Sequence, residues 1–343
     1  MLAISYNAYG AVPELVDIPE PACPRDGAVV AVRATGICRS DWHAWRGHDP
    51  VPLPMVPGHE FAGVVVAVGP LVRGFAVGDR VTAPFVNGCG HCEWCRSGQA
   101  QVCPDQAQPG FTHPGSFAEQ VVVRAADFNL VRLPDDVDFV TAACLGCRFA
   151  TSWHALTAQA RLAAGDWLLV VGCGGVGLSA VLVGRALGAR VVVADPSPAA
   201  RSRAAELGAD EVLSAADPGA IERVTGGGAH VSLDAVGSAE TSAACIHGLR
   251  RRGRHVQVGL MLGPHAEAAL AWGRVVAQEL TVVGSHGMAA SDYPGLLDAI
   301  AAGRLDPRRL VGRVVDLAQA GEELMALDRH VPTEAGIVVA TLP

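Results

Sequence analysis

Aromatic side chains are scarce in this 343-residue chain, at 5%, and charged residues reach only 17%. A core built on stacked rings is therefore excluded, and burial has to lean on Val, Ala and Leu within the 50% of residues that are hydrophobic. That composition suits buried parallel sheets and predicts an α/β protein. Basic runs are also missing: the longest is "RRGR" at 251–254, and the formal charge is −8. A nucleic-acid partner is not expected. Every apolar run is broken by Gly, Pro or charge before it could span a bilayer, and "MLAISYNAYG" lacks the charged and apolar regions of a signal peptide. No membrane is expected as a partner, and the cytoplasm is the expected location. The length, at about 150 residues per domain, predicts two domains.

A reducing compartment gives the ten cysteines a meaning, because CxxC spacing there points to metal or redox chemistry. "NGCGHCEWCRSGQAQVCP" (87–104) holds Cys89, Cys92, Cys95 and Cys103 as C-x2-C-x2-C-x7-C. Four thiolates can close around one tetrahedral cation, and a site with no open position is structural. A ferredoxin-type run would have three residues before its last cysteine where this one has seven, and no second set completes such a pattern. The glycines at 88, 90 and 98 are expected to permit the sharp turns of the wrapping.

Residues 1–145 carry short β-type runs separated by turn residues: 27–36, 61–69, 77–84 and 117–123. These predict an antiparallel, barrel-like unit. Near 150 the pattern changes to six apolar runs (167–172, 190–195, 210–214, 230–237, 254–260 and 280–285) alternating with Ala-rich amphipathic stretches. That alternation predicts a doubly wound dinucleotide-binding sheet. "VVGCGGVG" sets Gly172, Gly174 and Gly177 in a GxGxxG spacing, with Gly175 and Val176 between, after one strand and before a helix. The first glycine permits the turn, the second lets backbone approach a pyrophosphate, and the third lets helix and strand pack closely. Asp195 ends the next predicted strand, 23 residues after Gly172, where a carboxylate accepts from an adenosine ribose and repels a 2′-phosphate. NAD is favoured over NADP. Arg201 lies near enough to touch the ribose or phosphate, or else is a surface arginine.

Two further stretches, "GICRSDWH" (36–43) and "PGHEFAG" (57–63), hold Cys38 and His59 as plausible zinc ligands. With the four-cysteine lobe, "LGCRFAT" (145–151), "GCGGVG" and "LGADEV" (207–212), they closely resemble the zinc-dependent medium-chain alcohol dehydrogenase family, in family order and over nearly the whole chain. The resemblance implies a GroES-like β-barrel catalytic domain (1–149 and 289–343) bearing the structural zinc lobe, and a Rossmann NAD-binding domain (150–288). It implies two zinc ions per subunit, the catalytic one on Cys38, His59 and Cys147, with Cys144 a rival to Cys147. Two cysteines and one histidine are the ligand set already known for alcohol dehydrogenases, so this assignment is inherited.

The same resemblance places Glu60 behind the zinc, Asp41 on the second ring nitrogen of His59, and Thr151 near the nicotinamide. Ser40 and His43 would carry the proton from the alcohol oxygen to solvent, with the cofactor ribose between them. Arg39 would reach the pyrophosphate, Val236, Val258 and Val283 would lie around the nicotinamide, and Phe85 would line the substrate pocket. Trp42, Trp45 and Trp153 hint at a bulky or aromatic alcohol. The function implied is reversible hydride transfer between an alcohol and an aldehyde or ketone, in a homodimer or homotetramer. The alternative is a catalytically silent protein that keeps the fold, the zinc lobe and the dinucleotide.

Overall fold

The computed structural model describes residues 1–329 and 336–343. The strands, in chain order, begin with β1 (Leu2–Ser5), β2 (Glu14–Asp17), β3 (Ala28–Ile37), β4 (Glu60–Val68), β5 (Arg80–Thr82), β6 (Gln120–Val123) and β7 (Val131–Arg132). Next come β8 (Trp167–Val171), β9 (Arg190–Ala194), β10 (Glu211–Leu213), β11 (Ala229–Asp234), β12 (Leu249–Gln257) and β13 (Thr281–Gly284). The last two are β14 (Val311–Asp316) and β15 (Ile337–Thr341).

One sheet runs β14-β15-β3-β4-β5-β7, with β6 also paired to β3. Its pairings are antiparallel except β14 with β15. The two C-terminal strands thus join the sheet made by strands between residues 28 and 132, as β15 lies antiparallel to β3. Its core is aliphatic, from Val30, Val32, Val65 and Val81, with Phe61 and Phe117.

The second sheet is wholly parallel and runs β10-β9-β8-β11-β12-β13. Counted within this unit, the order is 3-2-1-4-5-6, the doubly wound arrangement. All five residues of β8 are buried, which is why its sequence is continuously apolar and not alternating. The strand order reverses between β8 and β11, so the turn leaving β8 opens on the crevice where nucleotides bind in such sheets.

Between the two sheets runs a helical segment with wide, π-helical turns at Leu145–Phe149 and Ala155–Gln159. Single turns of this kind recur at functional sites, and the first of these holds Cys147. No helix among the described residues is long and apolar enough to cross a membrane.

Candidate active site

Cys38 caps the helix Arg39–Trp45, and the backbone N–H of Cys38 donates to Asp41 Oδ2 at 3.0 Å. The other Asp41 oxygen accepts from Gly58 N–H at 3.0 Å and from His59 Nδ1–H at 2.9 Å. Asp41 is 1% exposed, so one buried carboxylate pins the backbone of both segments and sets the imidazole tautomer. With its proton on Nδ1, His59 presents a lone pair at Nε2, and that atom is buried without a partner among the described residues. An orphaned acceptor of this kind calls for an unseen cation or donor.

The ligand atoms of Cys38, His59, Glu60 and Cys147 lie within 4.8 Å of one another, and all four residues are buried. Cys144 stands apart, with its Sγ directed to the Val140 carbonyl at 3.5 Å. A hydrogen bond from Cys147, with Arg148 and His59 nearby, holds the Cys38 thiol well below its ordinary range against burial. The same bond and burial push Cys147 well above it. Burial would depress His59, but the charge and hydrogen bond of Asp41 hold it well above its usual range. The pocket therefore favours positive charge where the two sulfurs and the imidazole meet, and a zinc ion would supply it in place of a shared proton. The donor set fits that metal.

Glu60 is bound elsewhere. Arg148 donates to it from Nε and from its backbone N–H, both at 2.9 Å to Oε1, and from Nη2 to Oε2. Burial raises the Glu60 carboxyl while Arg148 opposes that shift. Arg148 is the main site residue that sequence reasoning missed. An arginine inside the apolar stretch "AACLGCRFA" was the available signal, because a charge is rarely buried without a partner.

Around this centre, Phe85 and Phe111 set their edges near the His59 ring at 6.0 and 5.3 Å. His286, which was also missed, stacks edge-on to Phe85 at 5.2 Å. Ser40 Oγ is 3.9 Å from Cys38 Sγ. His43 meets the exposed His48 through their Nδ1 atoms at 3.3 Å. Burial, His48 and Arg39 lower His43 to about 4. Trp45 does not reach a cleft: it is 4% exposed in the first sheet's core, and its indole N–H donates to Ala11. Trp42 instead donates to Asp328 at 3.0 Å.

The glycine turn has the local geometry its spacing predicts. Gly172 adopts φ +91°, a Cβ on Gly177 would strike the Gly172 carbonyl, and a Cβ on Gly174 would face open space. Gly174 caps the helix Gly175–Ala186, so backbone N–H groups point into that space. Asp195 accepts from Cys173 N–H at 2.7 Å and from Ser197 N–H at 2.8 Å, which fixes its carboxylate beside the turn. Arg201 folds back on the carbonyls of Asp195 and Pro196, and Arg39 donates to the Leu327 carbonyl at 2.7 Å. Val236 is 52% exposed at the mouth of the crevice. Val283 pairs with Val256 on neighbouring strands, Val258 follows β12, and Thr151 is buried in the helix Ala150–His154.

In the lobe, Cys89, Cys92, Cys95 and Cys103 converge. The Cys89–Cys95 and Cys92–Cys103 sulfur separations are 3.9 and 3.8 Å. These are far longer than a disulfide bond, yet a tetrahedron with zinc–sulfur bonds of about 2.3 Å has edges of about 3.8 Å. The sulfurs of Cys89, Cys92 and Cys103 each accept a backbone N–H at 3.4 Å. Gly90 and Gly98 take positive φ, at +81° and +78°. Gly88 serves differently from the sharp turn expected of it: its φ is ordinary, and a Cβ there would meet Cys95 Sγ at 2.9 Å.

A buried soft-ligand site facing a nucleotide crevice suits an oxidoreductase that pairs a metal with a dinucleotide. The comparisons agree. The alcohol dehydrogenase GroES-like domain matches residues 24–135, and the zinc-binding dehydrogenase domain matches 175–302. An alcohol dehydrogenase of Geobacillus stearothermophilus is 30% identical over 90% of both chains. A sorbitol dehydrogenase of Halalkalibacterium halodurans is 33% identical over 85% of this chain and 86% of its own. The solved alcohol dehydrogenase of Thermus sp. ATN1 superposes with a TM-score of 0.91 at 31% identity, over 100% of each chain. This chain belongs to the zinc-dependent medium-chain dehydrogenase/reductase family.

Proposed function

We propose that this dehydrogenase interconverts a primary or secondary alcohol with the aldehyde or ketone, using NAD. Support comes chiefly from the buried Cys38, Cys147 and His59 Nε2, whose ligand atoms converge beside a nucleotide crevice. These three side chains would hold the catalytic zinc, and Cys89, Cys92, Cys95 and Cys103 the structural one. Bound zinc would act as a Lewis acid, stabilising an alkoxide in one direction and polarising a carbonyl in the other. Bound NAD would accept or return the hydride.

The chain's own groups do the rest. Asp41 fixes the His59 tautomer, as acceptors behind metal-binding histidines do. Ser40 can donate and accept at once, which suits a hydroxyl placed against the substrate oxygen. His43, lowered to about 4, stays neutral at working pH and can relay the departing proton towards solvent, accepting at one ring nitrogen as the other releases. Phe85 and Phe111 wall off the site and exclude water. Thr151, Val236, Val258 and Val283 would flank the nicotinamide. Arg39 would turn from Leu327 to the pyrophosphate, and the turn from Gly172 to Gly177 would cradle it. Asp195 would take the adenosine ribose and disfavour a 2′-phosphate, with Arg201 beside it.

We assign 1–149 and 289–343 to the catalytic domain and 150–288 to the nucleotide domain. A homodimer or homotetramer is expected, since β13 leaves the edge of its sheet free among the described residues, and the cytoplasm is the expected location. The aromatic edges around His59 favour bulky alcohols. The test is a panel of alcohols and carbonyls with NAD and NADP, beside metal analysis. Two zinc ions per chain and faster turnover of benzylic than of small aliphatic alcohols are expected. A chain that binds NAD and lobe zinc but turns over no alcohol would refute the reading.

A further inference from the structure

Arg148 touches every segment that carries a candidate ligand of the inner site. It directly follows Cys147. Its Nε, Nη2 and backbone N–H engage Glu60, the neighbour of His59. Its Nη1 donates to the carbonyl of Ile37, the neighbour of Cys38, at 3.1 Å. One guanidinium thus ties together the three backbones on which Cys38, His59 and Cys147 stand. The residue is 7% exposed, so little water competes for these bonds.

Room for it is made by two missing side chains. A Cβ on Gly36 would meet Glu60 Oε2 at 2.5 Å and Arg148 Nη2 at 2.8 Å. A Cβ on Gly175, in the nucleotide turn, would collide with Arg148 Cδ. The side chain therefore runs from the glycine turn to the metal site. Glu60, meanwhile, has a carboxylate oxygen within 4.8 Å of both sulfurs and the imidazole nitrogen. It is close enough to become a ligand after a modest swing, and among the described residues it is the only carboxylate in that group. Both its oxygens are instead occupied by Arg148, in the two-point geometry that guanidinium and carboxylate share.

We propose that Arg148 is a positioning residue that keeps Glu60 off the metal, so that the protein supplies two sulfurs and one nitrogen and leaves further coordination to substrate. The inference rests on the metal reading above. Its test uses the full-length protein loaded with cobalt(II), whose visible bands report the ligands directly. Wild type should take up two cobalt ions per chain, with the four-cysteine lobe as an internal reference for correct folding. Arg148→Gln should move the bands of the inner site and lower kcat by about 10- to 100-fold, the usual cost of losing a group that orients a metal ligand. Adding Glu60→Gln to that variant should return the bands to their wild-type position, because the freed carboxylate is then gone.

Bands that stay put in Arg148→Gln, or that stay shifted in the double variant, would overturn the proposal while leaving the metal reading intact. Should Arg148→Gln fail to fold, Glu60→Gln alone decides: unchanged bands are expected, and moved bands would show Glu60 to be a ligand already. Wild type that loads cobalt only at the lobe would overturn both readings.

Discussion

Asp41→Asn is the most searching test of the metal site, because the substitution keeps shape and volume while changing one oxygen to a donor. Asp41 accepts three hydrogen bonds at 2.9 to 3.0 Å, from His59, Gly58 and Cys38. An asparagine offers one accepting oxygen, and each orientation fails differently. With the oxygen towards His59 and Gly58, the amide meets the Cys38 N–H donor to donor, at a cost of about 1–3 kcal/mol for a buried unsatisfied group. With the amide towards His59, the imidazole must accept at Nδ1, which moves its proton to Nε2 and removes the lone pair the metal needs. Either way zinc affinity at Cys38, His59 and Cys147 should fall about 10- to 100-fold, or ~1.4–2.8 kcal/mol. Stepwise removal by a coloured chelator reads this against the lobe zinc, which Asp41 does not touch. Equal affinity of the inner site in variant and wild type would refute the reasoning.

Cys103→Ser should lower the metal content from two zinc ions per chain to one and reduce Tm, since the lobe's own apolar cluster holds only Cys95, Ala100, Cys103 and Ala289 as buried members; an unchanged zinc count would refute this. Asp195→Ser should shift the ratio of kcat/KM for NAD over NADP towards NADP by about tenfold or more, about 1.4 kcal/mol, because it removes the negative charge and leaves Arg201 adjacent. An NMR titration of His43 should give a midpoint near 4, below the ordinary 6.5. The unfolded chain then binds more protons through this group between those values, so its effect on stability is nil above pH 6.5 and becomes increasingly destabilising as pH falls to 4. A midpoint near 6.5 would refute the assignment of its burial.

The centre of the parallel sheet was legible because strands buried on both faces, as β8 and most of β9 are, are written as unbroken apolar runs; all six expected runs overlap β8 to β13. The glycine turn was legible for a related reason, as close approach of Gly177 to the Gly172 carbonyl leaves no alternative residue. Less visible was the helical segment between the sheets, where wide turns depart from the 3.6-residue period and shift the faces of Cys147 and Arg148. The Glu60–Arg148 pair joins positions 88 residues apart, and no local pattern encodes such a contact. Trp45 misled because an indole near a candidate site reads the same whether it lines a cleft or fills a core. Short β1 and β2, with largely exposed positions in β2, carry too little periodicity to be read at all.

Asp41, His59, Glu60 and Arg148 are all buried, with side-chain exposure of 8% or less. An apolar set of the same volume would usually fold as well or better, since desolvating ions costs several kcal/mol each. The charges are therefore hard to explain as stabilisers. They make sense as a scaffold in which each candidate ligand is oriented by a charged neighbour: Cys38 and His59 through Asp41, and Cys147 through the arginine that follows it. Such a scaffold sets the positions of ligand atoms before a metal arrives, which limits the reorganisation needed at the moment of binding or reaction. It also explains why Gly36 and Gly175 lack side chains, because a methyl group at either position would displace the guanidinium that links the metal site to the nucleotide turn.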